Sequence, residues 1–151
     1  MTRIQEYQKD NYLISTNKGK LDLFTIHRFL TNSYWSKGIT IDKVKNSIAN
    51  SLCFGVYDGK KQIGFARVVT DFTLFGYIAD VFIVEEYRGK GLSKWLMDSI
   101  LEYPGIKEMR AVLLATKDAH GLYARFGFKP LEEPQRYLIR RNSHFLSLGS
   151  K

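Results

Sequence analysis

The chain has 151 residues, 44% hydrophobic and 25% charged, which fits one globular domain and excludes both a disordered tract and two full domains. Lysine and arginine number 23 against 15 acids, and the net charge of +8 suits either a polyanionic partner or simply a well-solvated surface. A single cysteine, Cys53, excludes an intrachain disulfide and a structural zinc site built on thiolates.

The opening residues, 1–10, are polar and carry no apolar core, so no secretory leader is expected. No apolar run approaches the ~18 residues of a membrane span. The expectation is a soluble protein of a reducing compartment, the cytoplasm, without a membrane partner.

Residues 12–15 (YLIS) read as a first strand after a polar lead. Leu23, Ile26, Leu30 and Tyr34 recur at helical spacing and predict an amphipathic helix over 22–34, broken by Gly38. Thr40 is placed to cap a second helix whose Ile41, Val44 and Ile48 share a face. Residues 51–57 (SLCFGVY) are almost continuously apolar and run into Asp58-Gly59, a strong hairpin signal, with 62–70 as the returning strand.

Residues 74–84 (LFGYIADVFIV), rich in aromatic and β-branched side chains, predict a strand central in a sheet. Leu92, Trp95, Leu96, Ile100 and Tyr103 form the buried stripe of a helix over 90–103, stopped by Pro104-Gly105. A buried strand follows at 110–115, then a short helix over 118–126 ended by Gly127, then an edge strand at 135–141 (QRYLIRR). Residues 1–151 form no repeat and contain no linker, so the expected fold is a single α/β (α+β) domain with helices around one mixed sheet.

The chemistry concentrates where the long strand meets the helix, at Val81-Phe82-Ile83-Val84-Glu85-Glu86-Tyr87-Arg88-Gly89-Lys90-Gly91-Leu92-Ser93-Lys94. A strand runs into a turn with two glycines that opens directly onto a helix. Unpaired amides at a helix start, with the positive end of its dipole, suit phosphate oxygens. Arg88, Lys90 and Lys94 add full charges. The spacing is not that of a Walker A loop, and Lys94 stands where a dinucleotide fingerprint needs its third glycine. A turn that merely joins strand to helix is the plain alternative.

VFIVEEYRGKGLSKWL followed by GLYARFGFKP resembles the GNAT superfamily of acetyl-CoA-dependent N-acetyltransferases. The family pattern, Gln/Arg-x-x-Gly-x-Gly/Ala, fits in two registers. Starting at Arg88, Gly91 matches and Ser93 replaces the small residue; starting at Glu86, Gly89 and Gly91 both match and only the first residue departs. The second motif, Leu-Tyr-x-x-x-Gly-Phe, is met by Leu122, Tyr123, Gly127 and Phe128.

The resemblance spans about residues 51 to 130 and implies a mixed sheet of about six or seven strands, four flanking helices, and a splay between two central parallel strands. It implies acetyl-CoA as cosubstrate and no metal. Val81, Phe82 and Ile83 would offer backbone groups to the pantetheine arm, and Arg88, Gly89, Lys90, Gly91, Leu92 and Ser93 would cradle the diphosphate. The asparagine that family members often carry before the last helix is not matched by Thr116-Lys117-Asp118, so that contact is not carried over.

The implied reaction is direct attack of an amine on the thioester in a ternary complex. The amine must lose its proton, the oxyanion needs a donor, and the leaving thiolate needs a proton. By resemblance the Val81 N–H is the oxyanion donor and Tyr123 serves the thiolate, with packing as the alternative for Tyr123. Where some members place a basic glutamate this chain has Tyr77. Asp80 could act as base, orient the amine, or bind a neighbouring group; a water chain is a further route.

Tyr34 and Trp35 are candidates for the acceptor site together with Tyr77, although at least one of the first two is expected in the core. His27, His120 and His144 are isolated. The resemblance implies a small-molecule, peptide or protein amine as acceptor, with polycationic acceptors mildly disfavoured by charge. Other readings are a catalytically silent acyl-CoA sensor, a transferase of another acyl chain or acceptor, and a nucleic-acid-binding module supported by charge alone. A homodimer using 137–148 as an interface strand is a further expectation.

Overall fold

The computed structural model describes residues 3–142. Its sheet has six strands in the order β1(Glu6–Lys9), β2(Tyr12–Ser15), β3(Leu52–Asp58), β4(Lys61–Thr70), β5(Phe75–Ile83) and β6(Ala111–Leu114). Neighbours are antiparallel except β5 and β6, which run parallel and therefore need the crossover helix between them. The helices are α1(Leu23–Thr31), α2(Ile41–Ala49), α3(Leu92–Glu102), α4(Pro104–Lys107) and α5(His120–Ala124).

The near-continuous apolar character of β3 and β4 reflects a sheet covered on both faces. Ile26 and Leu30 of α1 and Val44 of α2 pack with Cys53, Phe65 and Phe82 on one face. Leu96, Met97 and Ile100 of α3 pack with Phe54, Val68 and Ile78 on the other. Phe82 and the next residue, Ile83, thus bury their side chains in opposite cores, as alternation along a strand requires.

The helix starts follow local chemistry. The Asp22 carboxylate accepts from the amides of Phe24 and Thr25 at the start of α1, and the Thr40 hydroxyl accepts from Lys43 N–H at the start of α2. Gly59 has φ +59° in the β3–β4 hairpin.

Several expectations are corrected. The polar lead forms strand β1, because Asp10 at φ +54° closes a tight turn onto β2. α1 ends at Thr31, so Tyr34 leaves the helix stripe and is 61% exposed. The strand expected at the centre, β5, is internal, with β4 on one side and β6, the last strand of the sheet among the described residues, on the other. Pro104 ends α3 and starts the one-turn α4, its fixed φ suiting a first helical position. The edge strand expected at 135–141 does not form: a tight helical turn at Pro134–Arg136 is followed by irregular, fully exposed chain. Of the expected interface stretch, 143–148 lies outside the described residues, as does His144.

Candidate active site

The site begins with a fault in the sheet. Phe65 of β4 pairs with Phe82, but Arg67 pairs with Ala79, so β5 carries one extra residue opposite Ala66. Asp80 and Val81 share that position, and Asp80 takes up the bulge at φ +56°, a conformation aspartate tolerates better than bulkier residues. β6 pairs only with Phe75 to Ile78. Beyond the bulge the outer edge of β5 has no strand beside it among the described residues.

Both oxygens of Asp80 are engaged. Oδ2 accepts from the Arg67 guanidinium Nε at 2.9 Å, and Oδ1 accepts from the Trp35 indole Nε1 at 2.9 Å. Arg67 also donates from Nη1 to the Ser51 hydroxyl at 3.0 Å. The Asp80 and Arg67 side chains are 8% and 18% exposed, so the pair is substantially shielded from water. Of the three roles open to Asp80, the observed contacts match the binding of neighbouring groups.

At the mouth of the split lies a cavity of about 440 Å³. Its walls include Tyr34 and Trp35 from the α1–α2 turn, Tyr77, Asp80 and Val81 from β5, and Tyr123 from α5. Six of the residues proposed from sequence therefore meet in one place. Tyr34 and Trp35 stand edge to face, 5.1 Å between centroids, and are 61% and 40% exposed, so neither is in the core. Trp35 sits beside Phe29, which stacks on Phe82 at 3.9 Å and seats the turn on the core. Burial raises the Tyr123 hydroxyl above its ordinary pKa, with the nearby Tyr34 adding to the effect.

Phe82 and Ile83 have buried side chains and can offer a ligand only backbone. Past them the chain makes a tight turn at Glu85–Tyr87, and Arg88 Nε reaches back to the Ile83 carbonyl at 3.0 Å, fixing the loop to the strand end. Gly89 and Gly91 have φ +80° and +79°, and a Cβ at either would enter open space. Both registers of the glycine motif contain Gly91, the residue that opens α3, and no side chain caps that helix. The first backbone bond of its turn runs from Trp95 N–H to the Gly91 carbonyl, which leaves the amides of Leu92, Ser93 and Lys94 directed outward. An open glycine turn, uncapped amides and exposed Lys90 fit a diphosphate.

Sequence reading missed Arg67, Ser51 and Lys117. Arg67 was visible as one cation in the apolar run Ile63 to Val69, but its partner becomes evident only with the bulge. Lys117 stands over the Tyr34 ring at 5.3 Å, and Thr116, Lys117 and Asp118, just before α5, line the cavity. Among the described residues no three His, Cys, Asp or Glu side chains gather as a metal group, and no helix is long and apolar enough to cross a membrane.

Residues 49–130 match the model of the acetyltransferase (GNAT) domain. The crystal structure of a GNAT-family candidate acetyltransferase from Xanthomonas campestris pv. campestris is 42% identical, with TM-score 0.86, covering 89% of this chain and 96% of that one. A candidate acetyltransferase of Gibberella zeae is 27% identical over 88% of each chain. A GNAT acetyltransferase from Elizabethkingia anophelis, solved with acetyl-CoA bound, shares the fold at 16% identity and TM-score 0.62, covering 82% of this chain and 80% of that one. The glycine turn after β5, the split beyond the bulge and the Leu122-Tyr123…Gly127-Phe128 pair thus stand in a chain that belongs to the GNAT family of acetyltransferases.

Proposed function

We propose that the protein transfers an acetyl group from acetyl-CoA to a primary amine of a small molecule or peptide. The observation that carries this reading is the alignment of three features along β5: the cavity at Tyr77 to Val81, the edge to Ile83 that is unpaired among the described residues, and the uncapped start of α3. The acetyl-CoA complex of the Elizabethkingia anophelis protein, which has the same fold, supports the choice of cosubstrate.

In this reading the amides from Gly89 to Ser93 hold the diphosphate, and Lys90 and Lys94 add long-range attraction. Arg88 acts differently from its neighbours, because its Nε already pins the loop to Ile83. The outer edge of β5 from Val81 to Ile83 receives the pantetheine arm through backbone groups. When bound, acetyl-CoA supplies an acyl group activated as a thioester.

The chain's own residues bind the acceptor and manage protons. Tyr123 keeps its hydroxyl proton at neutral pH because burial disfavours the phenolate, so it can give a hydrogen bond or proton to a departing sulfur. Val81 N–H, next to the bulge, serves as the donor toward developing negative charge. Asp80 is a positioning residue whose Trp35 bond holds the acceptor loop in place, and a water path through the exposed mouth removes the amine proton. Tyr34, Trp35 and Tyr77 give the acceptor aromatic faces, which suit an alkyl stem bearing a cationic head.

A panel of primary amines and short peptides, assayed for thiol release from acetyl-CoA, tests this function. Amine-dependent release with an acetylated product is the expected result. Tight acetyl-CoA binding with no release across the panel would instead establish an acyl-CoA-binding protein, and release favouring a longer acyl chain would change the donor.

A further inference from the structure

We infer that Lys117 is itself an acetyl acceptor: its amine, held in the cavity of the candidate site, takes an acetyl group from acetyl-CoA bound to the same chain. The inference rests on the acyl-transfer reading for its donor, and it adds an acceptor that the chain carries within itself.

Placement carries the argument. Between β6 and α5 the loop is turned by the Thr116 hydroxyl, which accepts from the Ala119 N–H at 3.1 Å. That turn sets Lys117 in the wall of the 440 Å³ cavity, together with Tyr34, Asp80, Val81 and Tyr123. Among the described residues Lys117 is the one lysine that lines this cavity. Lys90 and Lys94 belong instead to the glycine turn and the first turn of α3, the end assigned to the diphosphate.

The Lys117 ammonium lies over the Tyr34 ring, 5.3 Å from its centroid. Tyr34 in turn is close enough to Tyr123 to act on its hydroxyl, so amine, ring and hydroxyl form one cluster. No acid competes for the ammonium. Asp80 is held by Arg67 and Trp35, and neither it nor Asp118, the next residue along the chain, makes an ion pair with Lys117. Lys117 is also exposed, which gives its ammonium water to pass a proton to.

The step balances with acetyl-CoA as the only co-reactant. The ammonium loses one proton to water, and the free Nζ pair attacks the thioester carbonyl. The new N–C bond forms as the C–S bond breaks, nitrogen sheds a second proton, and the thiolate takes one to leave as free coenzyme A. Holding amine and thioester in one cavity makes this step intramolecular and favours it over attack by lysines elsewhere on the surface. The product amide carries no charge, so modification removes the cation from the Tyr34 face.

The full chain incubated with acetyl-CoA and no added amine tests this, read by intact mass and by peptide mapping after cleavage at glutamate. One added acetyl group is expected, on Lys117, at a rate about tenfold or more above that of any other lysine. The rate constant should not change when the protein is diluted at fixed acetyl-CoA, and the preference for Lys117 should vanish in urea. Lys117→Arg keeps a cation at the ring and removes the amine; this variant, checked by circular dichroism, should lose the fast modification. Modification of Lys117 no faster than that of Lys90 or Lys94 overturns the inference. So does a preference that persists in urea, a rate that rises with protein concentration, or a fast phase retained by Lys117→Arg. A parallel amine panel separates the two readings. Turnover of free amines with Lys117 unmodified overturns this inference and leaves acyl transfer standing, whereas no turnover and no modification overturns both.

Discussion

The Trp35 indole N–H donates to Asp80 Oδ1 at 2.9 Å across 45 positions of sequence. One end of this bond is the turn after α1, which forms one wall of the cavity; the other is the bulge that opens the split. Trp35→Phe keeps the aromatic face and removes the donor. A hydrogen bond to a charged group contributes about 1.5–3 kcal/mol, so a looser turn should raise the acceptor KM by roughly tenfold while leaving acetyl-CoA affinity near wild type. Steady-state kinetics with both substrates varied checks this, and an unchanged acceptor KM would remove the bond from any positioning role.

Arg67 neutralises a carboxylate whose side chain is only 8% exposed. Arg67→Leu leaves Asp80 shielded and without its cation, a loss on the order of 3 kcal/mol in urea unfolding. Adding Asp80→Asn should recover part of that loss, because the orphaned charge is gone. Equal instability of the single and double variants would mean that packing of the Arg67 stem, not the ion pair, matters at this position.

Tyr123→Phe should lower turnover roughly a hundredfold with little change in acetyl-CoA affinity, the signature of a group used in proton transfer. Its pKa is raised, so the protonated form persists through neutral pH and past the ordinary value of about 10. The wild-type rate should therefore show no loss attributable to Tyr123 up to that pH. Wild-type turnover in the variant would leave Tyr123 as a packing partner of Phe128, its T-shaped neighbour at 5.9 Å.

Asp22 caps α1, and its hydrogen bond from the Thr25 hydroxyl, followed by those from backbone amides, lowers its pKa. A depressed folded-state pKa gives stability that is present above the unfolded value of about 3.9 and lost as pH falls through the folded one. Asp22→Ala should then cost about 1 kcal/mol at neutral pH and progressively less in acid. Thermal unfolding at several pH values measures the difference, and a constant gap across that range would contradict the cap's ionic character.

Much of the fold was legible because local and tertiary preferences agree. α2 starts where Thr40 predicts it, and the Asp58-Gly59 hairpin forms. α3 buries Leu92, Leu96 and Ile100 of the expected stripe, with Trp95 half-buried and Tyr103 buried just past the helix end. β1 was not legible, because Glu6-Tyr7-Gln8-Lys9 is exposed edge chain with no apolar alternation; it pairs because the turn at Asp10 returns β2 beside it. The expected strand at 135–141 has the right composition but pairs with no strand among the described residues. In the site, the glycine turn was readable from residue type, since a positive φ favours glycine. The Arg67–Asp80–Trp35 network was not, because the bulge that turns Asp80 toward both partners is a property of strand pairing.

Calorimetric titration of acetyl-CoA into the wild type and into Gly89→Asp bears most directly on the proposed seating of the diphosphate at the glycine turn. Gly89 is exposed at φ +80° with open space around it, so aspartate there strains the turn without a clash and places a carboxylate at the glycine turn, and circular dichroism checks that the variant is folded. Saturable binding to the wild type and none detectable in the folded variant is the expected pair of results. Equal affinity in both, or no binding to the wild type, would contradict a cosubstrate seated on the start of α3.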